Sequence, residues 1–170
     1  ALSAGIAGAA DMILIPEIPY SIDRVAAKIE SLRASGRNFA LVVVAEAVKT
    51  EEGAAVAESL VGGKPRYGGI GHYIGERIAE ARGAETRVTV LGHVQRGGTP
   101  VDRDRLMASI FGVHAVDLVA EGKFDRMVAW RNRGVTDIPL AEAIEGYHCV
   151  DPAGALVRTA KALGIAFGDA

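Results

Sequence analysis

Apolar positions along the chain alternate between two spacings. Residues 12–15, Met12-Ile13-Leu14-Ile15, form an unbroken apolar run that stops at Pro16-Glu17-Ile18-Pro19. A strand buried on both faces of a parallel sheet reads this way. Ser21 then offers an N-cap to a helix whose Ile22, Val25, Ala26, Ile29 and Leu32 recur at helical spacing. Gly36 ends that pattern. Residues 39–45, Phe39-Ala40-Leu41-Val42-Val43-Val44-Ala45, make a second wholly apolar run, expected to be buried, with Glu46 behind it. The first 46 residues therefore predict β-α-β, a parallel pair joined by a right-handed crossover.

Beyond residue 46 the pattern loosens. Residues 51–60 suit a helix, but Gly62-Gly63-Lys64-Pro65-Arg66 breaks the periodicity. Gly68-Gly69-Ile70-Gly71 leads into a helix bearing Ile70, Tyr73, Ile74, Ile78 and Ala81, closed by Gly83. A short strand follows at about 86–91, carrying Val88, Val90 and Leu91. It breaks at Gly92, shows His93, Gln95 and Arg96, and turns through Gly97-Gly98. Thr99 then caps a new helix with Pro100 at its first position. That helix, to about residue 121, has Leu106, Met107, Ile110, Phe111, Val113 and Leu118 around more than one stripe, which predicts substantial burial. Met127-Val128-Ala129-Trp130 predicts a further strand, and residues 138–144 a short strand or turn entering a short helix. Residues 152–163 predict a final helix with Pro152 in its first turn. Residues 1–10 read as the end of a helix.

The composition adds limits. A chain of 170 residues, 49% hydrophobic and 24% charged, predicts one globular domain with a real core. A net charge of −2 argues against a general nucleic-acid surface. With Cys149 the single cysteine, no internal disulfide framework exists, which points to a reducing compartment. No apolar run reaches the roughly 18 residues that cross a bilayer.

The chemistry gathers in the turn after residue 91. A strand that empties polar side chains into a glycine turn before a helix is the usual ligand place in an α/β sheet. Arg96 supplies a fixed fork of donors suited to phosphate, and His93 adds a ring donor. A tight connection with a solvated arginine is the plain alternative. Glu17 is either a rigid strand exit or an acceptor for sugar hydroxyls beside a phosphate site. Arg87 starts the strand whose other end bears His93 and Arg96. About six residues at 3.3 Å each separate them, near 20 Å, too far to share one small ligand within a chain. Arg87 is then a surface charge or serves a neighbouring subunit. His72, His114, His148 and Cys149 lack zinc-site spacing, and neither Ser21 nor Ser109 pairs with Cys149 as a nucleophile site.

Residues 91–100, Leu91-Gly92-His93-Val94-Gln95-Arg96-Gly97-Gly98-Thr99-Pro100, resemble the signature of the phosphofructokinase family. Ile13-Leu14-Ile15-Pro16-Glu17, the run 39–46, Asp104-Arg105-Leu106 and Phe111-Gly112 are similar to other segments of that family. The resemblance covers nearly the whole chain. It implies a three-layer, parallel-sheet, Rossmann-like α/β fold over 1–170, a single substrate-binding domain. It also implies that Glu17, His93 and Arg96 bind fructose 6-phosphate, with Arg96 and His93 on the 6-phosphate and Glu17 on the hydroxyls. Arg87 matches an arginine that reaches the substrate of an adjacent subunit, which implies a homodimer or homotetramer.

The family's glycine-rich donor loop, its catalytic aspartate segment and a Met-Gly-Arg motif do not occur among these residues. The resemblance therefore implies the C-terminal, acceptor-holding portion of a cytoplasmic glycolytic enzyme that moves a phosphoryl group from ATP or pyrophosphate to the sugar 1-hydroxyl, with Mg²⁺. Alone, the chain is expected to hold no cofactor and to turn over nothing. Residues 64–71 and 166–169 lean slightly towards the bacterial group that includes pyrophosphate-dependent and mixed members. A non-catalytic sugar-phosphate-binding or regulatory module is the alternative reading.

Overall fold

The computed structural model describes residues 1–59, 65–67, 69–146 and 148–169. Its elements run α1 (Leu2–Ala7), β1 (Met12–Leu14), α2 (Ile22–Ala34), β2 (Val42–Val44), β3 (Ala57–Ser59), β4 (Pro65–Tyr67), α3 (Ile70–Arg82), α4 (Asp102–Ala120), β5 (Arg126–Arg131), β6 (Gly134–Pro139), α5 (Leu140–Ile144) and α6 (Ala155–Ala162). They group into two compact units, Ala1–Val90 with Cys149–Ala170, and Leu91–His148.

In the first unit β1 is the centre. It pairs in parallel with β2, Met12 opposite Val42 and Leu14 opposite Val44. On its other edge Met12 bridges Ala166, also in parallel. All three residues of β1 are buried, as its unbroken apolar run requires. Because strand side chains alternate, β1 divides the core in two. Ile13 packs with Leu2 of α1 and with Val157 and Ala160 of α6, and Phe167 joins them. Met12 and Leu14 pack on the other side with Ile22 and Val25 of α2 and Ile70, Ile74 and Ile78 of α3. The unit is thus helices on both faces of a parallel sheet, the α/β arrangement expected.

Asp11, just before β1, is a buried carboxylate that the apolar pattern does not reveal. It accepts hydrogen bonds from the Arg37 guanidinium and, at 2.8 Å, from the Leu41 amide. This ties the entry of β1 to the approach of β2.

Several expectations change here. Residues 39–45 are not wholly buried: only Val42–Val44 is strand, half-buried, and Phe39 is exposed beneath the Arg37 guanidinium. Among the described residues β2 has a strand neighbour on one edge only, so its other edge is unpaired. Residues 51–59 are not helical; β3 pairs antiparallel with β4 instead. Leu60, Gly62, Gly63, Lys64 and Gly68 lie outside the described residues. Ser21 is the N-cap position of α2, but its hydroxyl makes no cap bond. Glu51 Oε1 accepts from the Ile22 amide at 2.9 Å in its place. Gly36 and Gly83 follow their helices with φ of +88° and +60°, as expected of helix ends.

The stretch 86–91 forms no strand among the described residues. Its first residues meet α3 instead: Thr86 Oγ1 donates to the Gly75 carbonyl at 3.2 Å, and Val88 fills the space above Gly71 and Gly75. Side-chain packing against two glycines has replaced a ladder.

In the second unit β5 and β6 form an antiparallel hairpin, turned by Asn132 and Arg133 at positive φ. The expected strand at 127–130 is therefore present, though not in a parallel sheet. Helix α4 begins at Asp102, not at Thr99-Pro100, because Asp104 Oδ2 accepts from the Val101 amide at 3.1 Å and sets the cap there. Of its residues only Leu118 is buried, while Leu106, Val113, Val116 and Val119 are exposed. A two-stranded hairpin is too small to cover a helix of 19 residues, so its expected burial is not met within this chain. Helix α6 likewise starts at Ala155 after a turn at Asp151–Gly154 rather than at Pro152. Among the described residues no helix is long and apolar enough to cross a membrane.

Candidate functional site

Glu17 stands past the C-terminal end of β1, where ligands gather in parallel sheets. The pattern that buries Ile15 and Ile18 leaves Glu17 between them, half-buried. Its Oε1 accepts a hydrogen bond from the Val150 amide at 2.9 Å. Its Oε2 is shut off from solvent and meets no donor among the described residues. A buried acceptor without a partner costs about 1–3 kcal/mol, more when charged. The arrangement suits a donor brought from outside.

His93 and Arg96 sit in a short 3-10 turn, Gly92–Arg96. Three residues make one turn of that helix, so positions 93 and 96 fall on the same side. Both side chains are exposed, and Arg96 has no hydrogen-bond or ion-pair partner among the described residues. The turn is closed by the Gly97 amide on the Val94 carbonyl at 3.1 Å. Gly98 follows at φ +100°, a conformation that a Cβ strains. Local structure thus pairs the histidine and arginine that the sequence singled out. They belong to the second unit, whereas Glu17 belongs to the first.

Arg87 is also in the first unit and exposed. Its Nε and Nη2 donate to Glu85 Oε1 at 3.1 and 2.9 Å. A surface pair of this kind contributes about 1 kcal/mol or less, so it holds the guanidinium loosely.

Three residues on from Glu17, Tyr20 is half-buried and its hydroxyl meets no partner among the described residues. Burial, and then the nearby Tyr73, Glu51 and Glu52, push its pKa up to about 12. The phenol therefore stays protonated near neutral pH. His72, His148 and Cys149 join no metal-ligand group, and none of three or more His, Cys, Asp or Glu occurs among the described residues. His114 lies 3.6 Å from Asp137, which Arg126 also engages.

The Val150 amide is the group that sequence reasoning missed. It is a backbone donor 133 residues from Glu17, and no side-chain pattern marks it.

Residues 1–119 match the profile of the family described as Phosphofructokinase. The chain belongs to the phosphofructokinase family. Glu17, Arg87, His93 and Arg96 all fall within the matched span. The chain is 60% identical to ATP-dependent 6-phosphofructokinase 1 of Synechocystis sp., over 99% of its own length and 47% of that protein's. It is 52% identical to ATP-dependent 6-phosphofructokinase 1 of Nostoc sp., with the same coverage. To the ATP-dependent 6-phosphofructokinase of Chloroflexus aurantiacus it is 46% identical over 99% of its length and 46% of that protein's. The chain thus spans about half the length of these curated relatives. A crystal structure of a pyrophosphate-dependent phosphofructokinase from Nitrosospira multiformis aligns with a TM-score of 0.58 at 23% identity, over 77% of this chain and 32% of that one. This last likeness concerns the fold alone.

Proposed function

We propose that this phosphofructokinase-family chain holds the acceptor sugar phosphate, fructose 6-phosphate, for phosphoryl transfer to its 1-hydroxyl. Glu17 carries the reading: a carboxylate at the C-terminal end of the central strand, one oxygen held by a backbone amide and the other without a donor. Carboxylate oxygens accept from hydroxyls and repel phosphate, so Glu17 takes the sugar. Arg96 and His93, side by side on one turn, take the 6-phosphate. Arg87, loosely held by Glu85, serves the substrate of a neighbouring copy in a homodimer or homotetramer.

Phosphoryl transfer is mainly positioning plus stabilisation of charge around donor and acceptor. The residues named here position the acceptor. Neither the donor, ATP or pyrophosphate, nor Mg²⁺ is assigned a residue in this reading. On this reading the reaction belongs to glycolysis, in the cytoplasm.

Titration of fructose 6-phosphate into the chain, followed by NMR shifts, tests this. One charged hydrogen bond to phosphate contributes about 1.5–3 kcal/mol. Arg96→Ala should therefore weaken binding by roughly ten- to a hundredfold, and Glu17→Ala should weaken fructose 6-phosphate more than inorganic phosphate. Unchanged affinity in both variants would remove the site.

A further inference from the structure

We infer that the backbone amide of Val150 is a positioning group for sugar binding, acting through Glu17. The inference rests on the reading of Glu17 as the sugar acceptor. A glutamate side chain turns about three bonds, so a carboxylate at a strand end points many ways unless something holds it. Here one oxygen is held, by the Val150 N–H at 2.9 Å, and the second is the acceptor left over.

The donor is itself fixed from two sides. The Val150 side chain packs against the core cluster that contains Ile18, Val157 and Phe167. The next residue, Asp151, opens a tight turn, in which its Oδ1 accepts from the Ala153 amide and its carbonyl from the Gly154 amide, both at 2.9 Å. A Cβ on Gly154 would stand 2.9 Å from the Asp151 carbonyl, so the turn is closed to larger residues there. The segment before α6 thus presents a rigid N–H to a carboxylate after β1. Pre-set groups of this kind lower the cost of ordering on binding. Oε2 is closed from solvent, so a sugar hydroxyl reaches it only as the atoms over it yield.

The test removes that N–H and keeps every side chain. Cys149 allows native chemical ligation of residues 1–148, as a thioester, to a synthetic 149–170 peptide. One peptide carries valine at 150; the other carries its hydroxy acid, which replaces the amide N–H by an ester oxygen. Both products are made with Glu17 and with Glu17→Ala, and their folding is checked by circular dichroism and thermal midpoint. Fructose 6-phosphate is then titrated into all four.

The ester should weaken binding about tenfold when Glu17 is present and cause no further loss in Glu17→Ala, which has no oxygen left to hold. An ester that binds as tightly as the amide, while Glu17→Ala still weakens binding, overturns the role of Val150 and leaves the site standing. An equal loss in both backgrounds also overturns it, because Val150 then acts by another route. If Glu17→Ala has no effect, the reading of Glu17 falls and this inference with it.

Discussion

Single side chains make the sharpest tests of the local environment. Tyr20 ionises near pH 10 in an unfolded chain, but burial and neighbouring acids raise it to about 12 in the fold. Between those values the unfolded chain has lost a proton that the folded chain keeps. Stability therefore falls as pH climbs from 10 towards 12, and this group contributes no slope below 10. Tyr73 is moved the same way, by burial and by Glu52, so it adds to the effect. Urea midpoints measured from pH 9 to 11.5 should show the decline, and Tyr20→Phe should flatten it. The same slope in Tyr20→Phe would assign the effect elsewhere. At this scale Glu17, His93 and Arg96 are legible in the sequence because each breaks an apolar or glycine pattern. The Val150 amide is not, because every residue but proline carries the same donor. Asp11 is hidden for a related reason: its partners Arg37 and Leu41 lie about thirty residues away and mark no motif.

Among the elements, the buried first strand and its flanking helices follow from spacing alone. The segment 86–91 does not. Its valines suit a strand, but Val88 packs on α3 instead, where Gly71 and Gly75 leave room for it, and Val90 is exposed. Alanine is the better helix former by about 1 kcal/mol, so propensity alone predicts that Gly75→Ala stabilises. The structure predicts the opposite sign. A Cβ at Gly75 would stand 2.8 Å from Val88 Cγ2, and valine is stiff at χ1. Overpacking of this kind costs about 1–3 kcal/mol. Gly75→Ala should lower the thermal midpoint, and Val88→Ala added to it should recover part of the loss. A raised midpoint in Gly75→Ala would show that Val88 moves aside freely. Helix α4 makes the complementary point. Its apolar residues announced burial, yet periodicity states only that a helix is apolar, not what covers it.

For the molecule as a whole, the chain spans about half the length of relatives that are ATP-dependent 6-phosphofructokinases. We expect the purified chain to bind fructose 6-phosphate and to show no phosphoryl transfer with either ATP or pyrophosphate and Mg²⁺. A coupled assay giving turnover above a denatured control would overturn the view that these residues supply the acceptor side only. The second unit leaves Val113, Val116, Trp130 and Ile144 exposed. The sequence alone determined the α/β class, the central buried strand, the family and the residues worth testing, because those depend on local spacing and on short contiguous motifs. Only the tertiary structure decided that Thr86 and Val88 meet a helix, that α4 stays largely uncovered within this chain, and that one oxygen of Glu17 is held by Val150. Each of those depends on which surfaces meet across long stretches of chain, and contact at a distance leaves no period to read.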